Sequence, residues 1–450
     1  MGRLFGTDGA RGVANTELTC ELAMNIGRAA ALVLTRHQKE KAKVLIGKDT
    51  RISSNMLEAA LVAGFCSVGV DVLLAGFVPT PAVAYLVGEY GADAGVMISA
   101  SHNPCEYNGI KLFDRRGFKL PDALEEEIET IVLDSATPIP APIGGEIGRV
   151  TCADRAVPDY IEHISRSVGC RLDGMRIALD CANGSSSVTA RELFEGLGAT
   201  VFILSDTPDG VNINKKCGST HMEQLCAFVR EREDIALGLA FDGDADRCLA
   251  VDERGEPVDG DRLIAIFAKA LKEEGRLKGN TAVVTVMTNI GFLKFAEENG
   301  IAVETTKVGD RYVLENMLQN DFSIGGEQSG HIIFKDYAST GDGQLSGAMF
   351  AAVLAKTGKT ASQLASVMRV YPQVLLNVTV TPEGKAKWDS DPEIAAAIRS
   401  AEEELGENGR ILVRVSGTEP LIRVMVEGED QAGIERIADR VAAVIKERAV

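Results

Sequence analysis

Apolar and polar positions along the first 335 residues run through one order three times. Each round opens on an apolar run: AKVLIGKDTR from Ala42, MRIALDCANGSS from Met175 and TAVVTVMTNIG from Thr281. Short, Val/Ile/Leu-rich runs of this kind predict strands buried on both faces. A helical stretch follows and stops at Gly69, Gly198 or Gly300, the residue type that ends helices where φ must be positive. A second strand then opens in VDVLLAGFVPTP, ATVFILSDTPDG and IAVETTKVGDR. After another helical segment, a third strand leads into a polar, glycine-containing loop: ISASHNP, AFDGDADR and IGGEQSGH.

Strand–helix–strand order predicts parallel sheets covered by helices, with ligand-facing groups in loops at the carboxyl ends of strands. The three polar loops are therefore expected at equivalent places in three similar domains. From about Tyr371 the pattern changes to a strand (VLLNVTV), a helix (PEIAAAIRSAEEEL), two strands around VSGTEP and a closing helix (QAGIERIADRVAAVIKER), an α+β module. The expected domains are 1–150, 151–255, 256–370 and 371–450, with MRVYPQV as the last linker.

The most specific chemistry lies in LGLAFDGDADRCLAVDE. Asp242, Asp244 and Asp246 alternate after an apolar run, so an extended chain would turn all three to one side. At about 5 Å and an effective dielectric near 20, each pair repels by roughly 3 kcal/mol, so a cation is expected among them. Few, hard oxygen ligands point to Mg2+. An EF-hand calcium loop is the nearest rival, since Glu253 falls at its twelfth position. Arg247 opposes it by standing at the sixth, where that loop needs glycine, and the flanks read as strands.

Ser101 ends the first polar loop's strand, with His102 beside it and Lys111 ten residues on. A hydroxyl next to cationic donors suits a phosphoryl carrier. Ser99 is the competing nucleophile, and His102 has the alternative task of orienting the loop. FGTDGARG holds Arg11 among glycines that let backbone approach an anion. GGEQSGH offers Glu327, Ser329 and His331 for sugar hydroxyls, with Lys307 and Arg311 of KVGDRYV at the neighbouring strand end. In ILVRVSGTEPLIRVMVEG, the residues Arg414, Ser416, Gly417, Thr418 and Arg423 surround one turn. Guanidiniums, hydroxyls and backbone amides there suit a phosphate cradle.

Composition narrows the partners. A formal charge of −18 over 450 residues argues against nucleic acid, so an anionic ligand needs a local basic site. Nine scattered cysteines without a C-x-x-C pair suggest free thiols in a reducing compartment. MGRLFGTDGARG has no apolar signal core, and no apolar run approaches the ~18 residues of a membrane span. A cytoplasmic protein without membrane partners is expected.

In this order, FGTDGARG, ISASHNP with NGIK, DGDADR, GGEQSGH and RVSGTEPLIR resemble the α-D-phosphohexomutase superfamily. Gln328, VGDRYV and the FGTDG opening are similar to its bacterial phosphoglucosamine mutase branch. The resemblance implies an α/β chain of four domains around a central cleft: three similar mixed α/β domains and a C-terminal α+β domain. It implies that Ser101 is the phosphoserine, and that Mg2+ is held by its phosphate with Asp242, Asp244 and Asp246. Arg11, Lys111 and Arg247 would neutralise the phosphoryl group, with His102 beside them. Glu327 and Ser329 would grip the sugar, near His331 and Lys307. Arg414, Ser416, Gly417, Thr418 and Arg423 would hold the phosphate that is not reacting.

The implied reaction interconverts glucosamine 6-phosphate and glucosamine 1-phosphate through a bisphosphorylated hexose, which also serves as activator. It would feed UDP-N-acetylglucosamine and cell-wall precursor synthesis. The alternatives are a phosphoglucomutase or phosphomannomutase of the same superfamily, an aspartate-based phosphatase and a non-catalytic phosphosugar-binding regulator. Homodimers are common in the family, and no segment here identifies a contact face.

Overall fold

The computed structural model describes residues 3–6, 8–36, 41–134, 138–416 and 420–449. The chain divides into two compact units, one of Met1–Met287 with Ile301–Val367, the other of Thr288–Gly300 with Met368–Val450.

The first unit contains the same strand arrangement three times. Lys43–Lys48 lies between Asp71–Phe77 and Ala94–Ile98, Arg176–Asp180 between Thr200–Leu204 and Leu237–Phe241, and Thr281–Thr285 between Ala302–Thr306 and Ile324–Gly326. All six pairings are parallel, as the strand–helix–strand order predicted. Every residue of Ala94–Ile98, Leu237–Phe241 and Thr281–Thr285 is buried, which is why these runs are apolar throughout instead of alternating. Gly69, Gly198 and Gly300, just past the helices Ile52–Ser67, Ala190–Gly196 and Ile290–Glu298, have φ of 90°, 104° and 58°. These are the left-handed values that glycine tolerates without a Cβ clash.

The sheets are mixed, which the apolar runs alone did not reveal. After each third strand the chain turns straight back along an antiparallel neighbour: Tyr107–Asp114, Cys248–Val251 and Ile332–Phe334. A parallel return would need a crossover of a dozen or more residues, whereas an antiparallel one needs only a loop. Each polar loop is thereby anchored by hydrogen-bonded strands on both sides. The first sheet gains Phe5–Gly6, Gly9–Val13 and Val150–Cys152, making seven strands among the described residues. Gly9–Val13 pairs with Tyr107–Asp114 and sets Arg11 opposite Gly109. A Cβ on Gly109 would stand 2.5 Å from the Ser99 carbonyl oxygen and 3.0 Å from Arg11 Cγ, so glycine lets the arginine lie close to the serine loop.

In the second unit, Leu421–Glu427 lies between Gln373–Thr379 and Arg410–Val415, antiparallel to both. The helices Pro392–Leu405 and Gln431–Arg448 cover the sheet, with Ile394, Ile434, Ile437, Val441 and Ile445 in one core with Ile422, Val424 and Val426. Among the described residues no helix is long and apolar enough to cross a membrane, and all nine cysteines are free.

Candidate active site

The three aspartates converge, but not by extension. Asp242–Arg247 is a tight connection between the antiparallel strands Leu237–Phe241 and Cys248–Val251. Ala245 has φ 53° and its N–H donates to the Asp242 carbonyl at 3.1 Å. This turn brings one oxygen of each carboxylate within 4.8 Å of the others, all three residues buried. Strands on both sides, not helices, also remove the EF-hand alternative.

Each carboxylate is partly committed. Asp242 accepts from Ser101 Oγ (2.6 Å) and from the Arg247 N–H (3.2 Å). Asp244 Oδ2 accepts from Thr80 Oγ1 (2.5 Å) and Lys111 Nζ (2.6 Å), and Asp246 Oδ2 from Lys111 Nζ (3.3 Å). Asp244 Oδ1 and Asp246 Oδ1 are buried with no hydrogen-bond partner. Burial and the neighbouring Asp246 and Asp244 push Asp242 up to about 8. Buried carboxylate oxygens left without a hydrogen bond, in a triplet that converges within 4.8 Å, fit a hard divalent cation. The residues present fit a metal ion.

Ser101 sits in a turn at φ 51°, with its hydroxyl aimed at Asp242. The loop's backbone is gripped from outside. Arg51, whose side chain is 0% exposed, donates through Nη2 to the carbonyls of Ser101 (2.9 Å) and Asn103 (2.8 Å). Its Nη1 donates to Pro104 (2.6 Å) and Tyr107 (3.1 Å), and its Nε to Asp49 (2.9 Å). Asn214 Nδ2 donates to the same Ser101 carbonyl at 2.8 Å. Ser99 Oγ accepts the Ser101 N–H at 2.9 Å and is hydrogen-bonded to Asp49, so it braces the turn. Arg51→Met should lose about 3–5 kcal/mol in urea unfolding, because Asp49 would be left buried without its cation. Turnover should fall with it although Ser101 remains, and an unchanged midpoint would show the clasp dispensable.

Cations surround this core. Lys111, nearly fully buried, is held protonated against burial by Asp244, Asp8 and Asp246. Arg247 Nη1 lies 3.0 Å from His102 Nδ1. Burial, Arg247 and Arg11 lower His102 to about 4, so its ring is neutral and accepts from the guanidinium. His331 Nε2 accepts the Gly341 N–H at 3.0 Å, which leaves Nδ1 to carry the ring proton, 3.7 Å from Asp246 Oδ1. Arg11 is paired with Asp8, and Lys119 Nζ bridges Asp8 (2.7 Å) and Asp310 (2.6 Å).

The third loop meets the second. The Cys248 N–H donates to the Gly330 carbonyl at 3.0 Å. Glu327 Oε1 accepts the Gly309 N–H at 3.0 Å, tying this loop to the VGDRYV segment. Ser329 and Lys307 are exposed, while Arg311 is drawn to Asp122 and to Glu125 (2.9 Å). In the second unit Arg414 stands directly across the strand pair from Arg423. Burial and Arg423 lower Arg414. Two guanidiniums side by side destabilise a strand pair unless an anion joins them. Ser416 is buried beside them; Gly417 and Thr418 lie outside the described residues.

Sequence reasoning missed Arg51, Thr80, Asn214, Asp8, Lys119 and Asp310. Asp8 and Asp310 lay within motifs already singled out, and Asp8 has Arg11 in its own motif, but Lys111 and Lys119, which bring the group together, are remote in sequence.

Four family models match in chain order, described as "Phosphoglucomutase/phosphomannomutase" alpha/beta/alpha domains I (residues 2–138), II (158–255) and III (259–371) and C-terminal domain (375–444). The phosphoglucosamine mutase of Clostridium novyi is 54% identical over 450 residues, covering 100% of both chains. A phosphoglucomutase/phosphomannomutase family protein of Burkholderia thailandensis has a crystal structure superposing with a TM-score of 0.84 at 24% identity, covering 100% of this chain and 99% of that one. The N-acetylphosphoglucosamine mutase of Aspergillus fumigatus, solved with GlcNAc-6P and magnesium, gives a TM-score of 0.71 at 18% identity, with 100% and 96% covered. On these matches the chain belongs to the α-D-phosphohexomutase superfamily, in its phosphoglucosamine mutase branch.

Proposed function

We propose that this isomerase interconverts glucosamine 6-phosphate and glucosamine 1-phosphate by way of phosphorylated Ser101 and a bisphosphate sugar. The observation that carries the reading is Ser101 Oγ, 2.6 Å from Asp242 Oδ2, on the edge of a buried carboxylate triplet flanked by Lys111 and Arg247.

In the forward step a free sugar hydroxyl oxygen forms a bond to phosphorus while the bond from phosphorus to Ser101 Oγ breaks. The proton lost by the sugar hydroxyl balances the one Oγ regains. The bisphosphate turns around, and its other phosphate returns to Oγ by the reverse exchange. Lys111, Arg247 and Arg11 place positive charge where the phosphoryl oxygens gather it, and such preorganised charge supplies most phosphoryl-transfer catalysis. His102, neutral, fixes the Arg247 guanidinium. Asp242, Asp244 and Asp246, with an oxygen of phosphorylated Ser101, would hold magnesium, which when bound adds charge neutralisation at that phosphate. Glu327 and Ser329 hold sugar hydroxyls that exchange places when the intermediate turns, with His331 and Lys307 beside them. In the second unit, Arg414, Ser416 and Arg423, with Gly417 and Thr418, bind the phosphate that stays on the sugar. Domain limits at residues 150, 255 and 370, a phosphosugar partner and a cytoplasmic setting belong to the same reading.

The substrate is tested by comparing kcat/KM for glucosamine 1-phosphate and glucose 1-phosphate with a bisphosphorylated hexose supplied. A higher value for the amino sugar is expected. Preference for glucose 1-phosphate would move the enzyme to the phosphoglucomutase side of its superfamily.

A further inference from the structure

Asp8 stands where three cations from separate segments meet. Arg11 Nη2 is bonded to its Oδ2, Lys119 Nζ lies 2.7 Å from Oδ1, and Lys111 Nζ lies 3.6 Å from Oδ2. Exposure is graded across this group. The Lys111 and Lys119 side chains are 2% and 9% exposed, whereas Asp8 and Arg11 are 23% and 25% exposed. The anion and one cation therefore face outward, and two ammonium groups stand behind them. Both lysines also pair with other carboxylates, Asp244 and Asp246 for Lys111 and Asp310 for Lys119. Without Asp8 they would be drawn toward those carboxylates. Arg11 Nε, buried, has no hydrogen-bond partner, so the guanidinium keeps a donor in reserve.

A carboxylate gripped by one guanidinium and two ammonium groups presents the charge and oxygens of part of a phosphoryl group. A phosphate offers three oxygens and a second negative charge in the same place. We propose that Asp8 is a stand-in anion, keeping Arg11, Lys111 and Lys119 gathered until a phosphoryl group of the incoming phosphosugar displaces it, and that Lys119 is a further phosphate-binding residue. The inference rests on the phosphotransfer reading above. Displacing Asp8 lowers the apparent affinity for phosphate, as any competing occupied state does.

The test titrates inorganic phosphate calorimetrically into full-length enzyme with magnesium present. An Arg414→Gln background keeps the second cradle from contributing. Asp8→Asn should bind phosphate about tenfold more tightly and Lys119→Met about tenfold more weakly, a shift in each direction of one decade in Kd, with Lys119→Arg near the native value. Asp8→Ser repeats the experiment without an amide, and thermal melts confirm that each variant is folded. A merely structural Asp8 would lower the melting temperature without tightening phosphate. Phosphate affinity unchanged or weakened in both Asp8 variants, or native affinity in Lys119→Met, overturns the proposal. Native enzyme is assayed in parallel on glucosamine 1-phosphate. Absence of that turnover is a failure of the phosphotransfer reading, whereas native turnover with no gain of affinity on replacing Asp8 defeats the stand-in alone.

Discussion

Ser101→Ala is expected to lower turnover on glucosamine 1-phosphate by a factor on the order of 10⁶, the scale of loss when a covalent nucleophile is removed. The effect should be this large because no neighbouring hydroxyl can take over. Ser101 Oγ reaches Asp242 only because the turn holds φ at 51° and because Arg51 and Asn214 hold the Ser101 carbonyl from behind. Ser99, two residues earlier, is engaged by the Ser101 N–H and by Asp49. Intact-mass spectrometry of the native protein should show a phosphate adduct, peptide mapping should place it on Ser101, and the alanine variant should lack it. Phosphate on Ser99, or an alanine variant turning over near the native rate, would remove Ser101 as the carrier.

The second large effect has opposite signs on activity and stability. Asp242→Asn should cost several kcal/mol of transition-state stabilisation, roughly a 10³-fold loss in turnover with magnesium present. In EDTA above pH about 8, where the native Asp242 carboxyl is charged, the same variant should melt at a higher temperature than the native protein. The three carboxylates approach within 4.8 Å, a separation at which each charged pair repels by roughly 3 kcal/mol at an effective dielectric near 20. Lys111 offsets this for Asp244 and Asp246, but Asp242 has no comparable ammonium group among its contacts. Magnesium should raise the native melting temperature, since it binds the folded state, and this rise should shrink in the variant. Differential scanning calorimetry with and without EDTA reads both. A native melting temperature indifferent to magnesium, together with full turnover in EDTA, would show that the aspartates hold no metal.

Much of this architecture is legible in the chain because it depends on local chemistry. Ala94–Ile98 and Leu237–Phe241 are apolar throughout because both faces are covered, and burial selects residue type position by position. Gly69, Gly198 and Gly300 mark helix ends because only glycine adopts their left-handed φ at no steric cost. The last module's order of strand, helix, two strands and helix could be read directly from its periodicities. So could the identity of the cation-seeking residues, since three aspartates crowded after a buried strand have few other uses.

What the chain did not disclose is how those residues meet. Alternation suggested that Asp242, Asp244 and Asp246 share one side of an extended strand. The antiparallel return at Cys248–Val251 instead compresses them into a turn with Ala245 at positive φ, a constraint set by strand pairing and not by the six residues themselves. Arg51 reads locally as a polar residue after a strand, yet it is fully buried because its acceptors at Ser101, Asn103, Pro104 and Tyr107 lie about fifty residues away. Lys119 meets Asp8 and Asp310 across separations of 111 and 191 residues. By itself, the sequence determined the parallel strands with their covering helices, and it singled out the three aspartates that crowd together and call for a cation. Only the tertiary structure decided which charges face one another, because Coulomb interactions depend on distance in space, and spacing along the chain does not record it.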